Sequence, residues 1–234
     1  MRPTMAGKDI HMDKIKISDL FDLAHTRAAA WLGRCTYPWE ILSDIGTLIL
    51  EIGATLPEES FIKTGDNIWI AKSAEVAGNV SISGPCIIGE HTEVRPGAFI
   101  RGNVLVGDHA VVGNSCELKN CILFDNVQVP HYNYVGDSVL GYKAHMGAGA
   151  VTSNVKGDKQ LVVIHGEDMY PTQRKKVGAM LGDYAEIGCN SVLNPGTVIG
   201  RNTQVYPLSS VRGVVKENSI FKGSRGAFEK RCEQ

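Results

Sequence analysis

Aliphatic residues recur at every sixth position through the middle of the chain. From Ile70 the series is Ile70, Val76, Ile82, Ile88, Val94, Ile100, Val106, Val112 and Leu118. Four positions after the first eight of these stand Ala74, Val80, Cys86, Thr92, Ala98, Val104, Ala110 and Cys116, all small or β-branched. A second series runs Leu181, Ile187, Leu193, Ile199, Val205 and Val211, with Ala185, Ser191, Thr197, Thr203 and Ser209 as partners. Self-similarity at a fixed period marks a solenoid. Each six-residue unit reads as one short strand and a turn, with the aliphatic residue inward and the small one near a corner. Three units close a triangular coil, and coils stack at roughly 4.8 Å, the spacing of paired strands. Gly, Asp and Asn follow the aliphatic position in IGEH, VGDH, VGNS, LGDY and IGCN. These residues tolerate the left-handed backbone that sharp corners need. The pattern predicts an all-β parallel β-helix over 65–216.

Two departures from the period shape the rest. Between Leu118 and Thr152 the steps continue as Leu118, Leu123, Val129, Val135, Leu140, Met146 and Thr152, with two short units. From about 154 to 180 the period stops, which predicts an arm looping out of the coil wall. Residues 17–33 and 38–53 read as helices, with Ser18 as N-cap, Gly33 at a stop and Pro38 in a first turn. They predict an α-helical cap over 17–64, with apolar faces covering the open first coil. Residues 1–16 read as a flexible N-terminus and 217–234 as a C-terminal cap or tail.

Composition narrows the function. The 24 Lys and Arg balance 25 Asp and Glu, for a formal charge of -1. That is no footprint for nucleic acid or an anionic membrane. No apolar stretch is long enough to span a bilayer and the first residues hold no apolar signal core, so a cytoplasmic protein is expected. The cysteines form no CxxC pair and are expected as free thiols. No metal is expected, although His91 and His109 fall one coil apart.

Numbering the walls places the outward residues. Val94, Val112, Val129 and Met146 start strands on wall two; Ile100, Leu118, Val135 and Thr152 start strands on wall three. Arg101 and Lys119 then stack one strand spacing apart at the opening of wall three. Tyr134 closes wall two at the same corner, Arg95 opens wall two, His131 lies in the middle of it, and His145 closes wall one. Two stacked cations suit an anion such as phosphate. An imidazole at His131 suits general-base chemistry near neutral pH.

The segment from Arg95 to Asn154 resembles the acetyltransferase domain of the bifunctional glucosamine-1-phosphate acetyltransferase and N-acetylglucosamine-1-phosphate uridylyltransferase. The resemblance rests on RPGA at 95–98, GNSCELK at 113–119, PHYNYVGD at 130–137 and HMGAGAVTSN at 145–154. It covers about residues 65–215 and implies a left-handed coil. It also implies acetyl-coenzyme A as co-substrate, a sugar phosphate or nucleotide sugar as acceptor, a place in UDP-N-acetylglucosamine biosynthesis, and a homotrimer. His131 matches the family's catalytic base. Lys119 and Tyr134 match residues that hold the sugar phosphate. The phosphate-binding Arg is matched by Arg95 in motif and by Arg101 in spacing, and position on the wall favours Arg101. Asn154 matches a residue near the acyl thioester, and Ala148 and Cys189 match contacts to the coenzyme A arm.

Four features depart from the family. No room for a nucleotidyltransferase domain stands before residue 65. His145 occupies the place of a sugar-contacting Asn, which suggests a changed acceptor. Val155 replaces an aromatic, with the next phosphate-binding Lys only loosely represented by Lys159. Pro207 occupies a place where a backbone amide would serve coenzyme A, and proline has no N–H to donate. The expected function is an acyl-coenzyme A dependent N-acyltransferase. A non-catalytic sugar-nucleotide-binding scaffold, or a trimeric partner for a separate nucleotidyltransferase, is the alternative, and a metal-dependent hydratase of the γ-carbonic anhydrase type is a weaker third.

Overall fold

The computed structural model describes residues 13–230. Three walls of parallel strands wind into a β-helix, and their ladders set the register. Wall one stacks Ile68–Ala71, Cys86–Ile88, Val104–Val106, residues 121–123 and 138–140, Ala179–Leu181, Thr197–Ile199 and Val214–Val215. Wall two stacks Glu75–Val76, Glu93–Val94, Val111–Asn114, Gln128–His131, His145–Met146, Glu186–Ile187, Gln204–Val205 and Ser219–Phe221. Wall three stacks Ser81–Ile82, Phe99–Ile100, residues 117–118 and 134–135, Val151–Thr152, Val192–Leu193 and Ser210–Val211.

Along most of the helix the hexad residues point inward and are buried, among them Ile88, Val94, Ile100, Val106, Val112 and Leu118. The two short units have a structural cause. Glu117–Leu123 and Tyr134–Leu140 are single strands that run from wall three into wall one. Each turns the corner on one left-handed residue, Asn120 at φ 48 and Asp137 at φ 49. Asn and Asp accept that backbone because their side chains bond locally. Here Asn120 Nδ2 donates to Asp137 Oδ1 at 2.9 Å, tying the two corners together.

The N-terminal segment differs from expectation. The predicted helix at 17–33 is three short turns, Ile17–Leu20, Leu23–His25 and Ala29–Leu32. Phe21 and Thr26 between them are extended. The groups that would bond within a helix bond to the coil instead: Asp22 N–H donates to Asp183, and His25 C=O accepts from Asp125 N–H at 3.0 Å. Ser18 lies inside the first turn rather than capping it, while Gly33 does end the third. The second predicted helix divides into a 3-10 turn at Glu40–Ser43 and an α-helix at Ile45–Gly53.

This segment runs along wall one rather than capping the first coil. Lys14 reaches Glu217 near the C-terminal end, Phe21 packs on Phe124 at 5.1 Å, Arg27 pairs with Asp108, and Gly53 lies on the indole of Trp69. It is a belt laid antiparallel to the winding direction. The reason is the outward row of wall one: Ile87, Leu105, Ile122, Val139, Met180 and Val198 are apolar and fully or almost fully buried beneath it. Each such side chain removed from water contributes about 1.5–3 kcal/mol. The end strands are covered by antiparallel partners instead: Phe61–Gly65 pairs with Ile68–Ala71, and Ala227–Glu229 with Ser219–Phe221.

Two further expectations change. Residues 13–16, read as part of a flexible N-terminus, are docked: Ile15 is buried, and Asp13 accepts from the Glu167 amide at 2.7 Å and the Tyr170 hydroxyl at 3.1 Å. Residues 1–12 and 231–234 lie outside the described residues. The arm at 154–180 does not stand out from the wall. Its hairpin, Val163–His165 against Met169–Pro171, folds back with Val162, Ile164 and Val177 buried. Gly213, at φ 74, permits this approach, since a Cβ there would meet the His165 carbonyl at 2.3 Å.

Candidate functional site

The corner from wall two to wall three carries one ordered column. Val129, Met146, Ile187 and Val205 stand inward in successive strands of wall two. The residues two positions later are His131, Ala148, Cys189 and Pro207. Backbone bonds link the column: Gly149 N–H donates to His131 C=O at 3.0 Å, Asn190 to Ala148 at 2.8 Å, and Leu208 to Cys189 at 2.9 Å. The expected base and all three expected coenzyme A contacts therefore lie on one exposed edge. His131 ends its strand at the corner rather than standing mid-wall.

Asn133 holds this corner and was missed in the sequence. It is buried; its Nδ2 donates to Gly147 C=O at 2.9 Å and Ala150 C=O at 3.0 Å, and its Oδ1 accepts from His131 N–H at 3.1 Å. Its signal was legible, because Asn133 occupies the inward corner position four after Val129, where other units carry Ala, Cys or Thr. A buried amide with every polar atom bonded fixes the His131 backbone. Among the described residues, the His131 imidazole itself makes no hydrogen bond. The flanking Tyr132 and Leu208 are 64% and 80% exposed and sit at φ 52 and 60. Bulky residues held in that region are strained, and such strain gathers at functional corners.

Wall three carries a second cluster. Glu117 pairs in register with Phe99 and with Tyr134, so Tyr134 stands on wall three and not at the end of wall two. Arg101 and Lys119 follow the inward Ile100 and Leu118 and stack at the end of wall three beside wall one. Arg101 donates to Glu117 at 2.6 Å. Lys119 Nζ lies 4.0 Å from the buried Asp137, which also accepts from Asn154 Nδ2. Asn154 Nδ2 reaches the Tyr134 hydroxyl at 3.2 Å. Burial, with the Asp137 carboxylate second, pushes the Tyr134 phenol above its usual pKa, so it is a hydrogen-bond donor at neutral pH. Asp137, a residue that spacing alone did not single out, thus links Lys119 to Asn154, and Asn154 links on to Tyr134; Arg101 pairs separately with Glu117, the strand neighbour of Tyr134.

The remaining candidates stand apart. Arg95 pairs with Glu93 on wall two at 2.9 Å. His145 lies within wall two, between Gln128 and Glu186, and not at the end of wall one. Its Nδ1 is 2.8 Å from Glu186 in a shallow cleft lined also by Asn126, Gln128 and Lys143. His91 and His109 stack with ring centroids 4.9 Å apart. Cys86, Cys116 and Cys121 are buried and Cys189 is exposed, all as free thiols. Among the described residues no helix is long and apolar enough to cross a membrane.

Fold and site together define a hexapeptide-repeat parallel β-helix with a column headed by His131 on one corner and a cation cluster on the adjoining wall. The GMPPB C-terminal domain family matches residues 82–173. The chain is 30% identical over 213 residues to the bifunctional protein GlmU of Methanococcus vannielii, across 83% of this chain and 48% of that protein. It is 29% identical over 177 residues to a bifunctional sugar-1-phosphate nucleotidylyltransferase/acetyltransferase of Sulfurisphaera tokodaii, across 67% of this chain and 44% of that one. Among solved structures, a mutant of perosamine N-acetyltransferase from Caulobacter crescentus, in complex with CoA and GDP-perosamine, overlaps at a TM-score of 0.37. That overlap has 19% identity and covers 68% of this chain and 54% of that one. The resemblance carried by the motifs is thus matched by similarity along most of the chain, which spans about half the length of the curated relatives.

Proposed function

We propose that this protein is an acyl-coenzyme A dependent N-acyltransferase, acting on an amino sugar phosphate or a nucleotide-linked amino sugar. The observation that carries the reading is the column His131–Ala148–Cys189–Pro207 on one exposed edge. Acetyl-coenzyme A is the co-substrate in this reading. Ala148 and Cys189 flank its pantetheine arm, while Pro207 offers van der Waals contact and no N–H. The sugar amine attacks the thioester carbonyl carbon, forming the N–C bond as the C–S bond breaks. His131 takes the proton released from nitrogen, and coenzyme A leaves as the thiolate and then gains a proton. Arg101 and Lys119 bind the acceptor phosphate, with Tyr134 donating to it and Asn154 near the thioester. The same reading carries a cytoplasmic homotrimer on the route to UDP-N-acetylglucosamine, in which a neighbouring chain completes the groove beside His131.

The test is to incubate the protein with acetyl-coenzyme A and amino-sugar phosphates and follow free thiol. His131→Ala should lower the rate about 100-fold or more, the usual range for loss of a general base. An unchanged rate overturns the assignment. A second reading, a scaffold that binds sugar nucleotide without catalysis, is favoured by Pro207 and by the engagement of His145 with Glu186. Sugar-phosphate binding without coenzyme A binding decides for it.

A further inference from the structure

The belt touches the cation cluster of wall three. Its 3-10 turn, Glu40–Ser43, lies against the corner where wall three passes into wall one. Both hydrogens of the Asn120 amide nitrogen are engaged there. Nδ2 donates to the Leu42 carbonyl at 3.1 Å and to Asp137 Oδ1 at 2.9 Å. Asp137 is 5% exposed, and its other oxygen accepts from Asn154 Nδ2 and faces Lys119 Nζ at 4.0 Å. A continuous set of contacts therefore runs from the belt through Asn120 and Asp137 to Lys119 and Asn154.

The arm is tied to the same turn. Arg174 Nη2 donates to the Glu40 carbonyl at 2.9 Å and to Ser43 Oγ at 3.0 Å. Just beyond it, Val177 N–H donates to the Asn154 carbonyl at 3.0 Å and Gly178 N–H to the Asp137 carbonyl at 2.8 Å. One belt turn thus reaches the cluster by two routes, at its side chains through Asn120 and at its backbone through the arm. The corner at Asn120 asks only for a residue that accepts a left-handed backbone. The amide that spans belt and carboxylate is more than the corner needs. Its effect falls on Lys119, whose ionic partner among the described residues is Asp137. A lysine ammonium sits on a flexible four-carbon stem, and ordering such a side chain on binding costs free energy. A carboxylate fixed by its donors holds the ammonium in place before a ligand arrives.

We propose, on the reading that Lys119 holds the acceptor phosphate, that the belt turn Glu40–Ser43 is part of the acceptor site. Asn120 is the positioning residue through which the turn fixes Asp137, and with it Lys119. Calorimetric titration of the full chain with glucosamine 1-phosphate tests this without an acyl donor. Asn120→Gly keeps the left-handed corner and removes both donors. It should weaken binding about 3- to 10-fold, the range for a side chain that must be ordered on binding, with the number of sites per chain unchanged. A merely structural loss would instead lower the number of competent sites and leave the affinity of the rest as it was. Asn120→Asp also accepts the corner but offers oxygen where Nδ2 donates, and should weaken binding at least as much. Circular dichroism checks that the variants are folded, and either one suffices for the comparison. Parent affinity in the folded Asn120 variants, or a fall in site number alone, beside a weakened Lys119→Ala, overturns the proposal and leaves the reading of Lys119 standing. No binding by the parent, or parent affinity in Lys119→Ala, overturns that reading and the proposal with it.

Discussion

The Nδ1 of His145 lies 2.8 Å from the Glu186 carboxylate in the next strand of wall two. The carboxylate accepts from Nδ1–H and so orients the imidazole. Glu186→Gln should therefore alter the KM for the acceptor several-fold. Both residues are partly exposed, so thermal stability should change by less than about 1 kcal/mol. Steady-state kinetics with a melting curve checks both. A stability loss with unchanged KM would make the pair structural only.

Asn133 makes a sharper prediction. Asn133→Ala removes the side-chain donor to the Ala150 carbonyl inside the coil, while the Gly147 carbonyl keeps the Ala150 N–H. The expected cost is about 1–3 kcal/mol, read by urea unfolding. Activity measured well below the unfolding midpoint should also fall, because His131 loses the acceptor that holds its backbone.

The belt can be tested at Phe21, which is 4% exposed and packs on Phe124. Phe21→Ala should cost about 3–5 kcal/mol. It should also uncover part of wall one, so binding of a hydrophobic dye should rise below the unfolding transition. An unchanged midpoint would mean that the belt is dispensable.

Asp125 gives a pH dependence of defined sign. Burial raises the pKa of its carboxyl above the usual value, with the Asp108 carboxylate adding to it. The folded state therefore holds this proton more tightly than the unfolded chain does. The resulting stabilisation is full below the ordinary value of 3.8 and is lost as pH rises through the raised value. An Asn at this position can still accept from Asp108 N–H through its Oδ1. Asp125→Asn should be more stable than the parent at neutral pH, with the difference shrinking as acid is added. Denaturant midpoints from neutral pH down to about pH 4 check it; a gap that widens on acidification would contradict the assignment.

The sequence by itself determined the coil. Inward positions such as Ile88, Val106 and Leu193 follow from period alone, because a side chain one residue out of phase would face the other side of the wall. A second row of positions along the coil carries a further signal. The positions one before each wall-one hexad residue are Ile87, Leu105, Ile122, Val139, Met180 and Val198. Their counterparts on wall two include Glu75, Glu93, Gln128, His145, Glu186 and Gln204. An apolar row on one wall and a polar row on another say that the first wall is covered. What covers it was decided only by tertiary structure: residues 13–53 are apolar enough to cap a coil or to line a wall, and the choice depends on where the larger uncovered surface lies. The same holds at the site. Spacing stacked Arg101 on Lys119, but strand register moved Tyr134 onto wall three and His145 onto wall two. The two short units had displaced the corners there, and a corner is fixed by one left-handed residue, Asn120 or Asp137, whose backbone angle the hexad pattern does not encode.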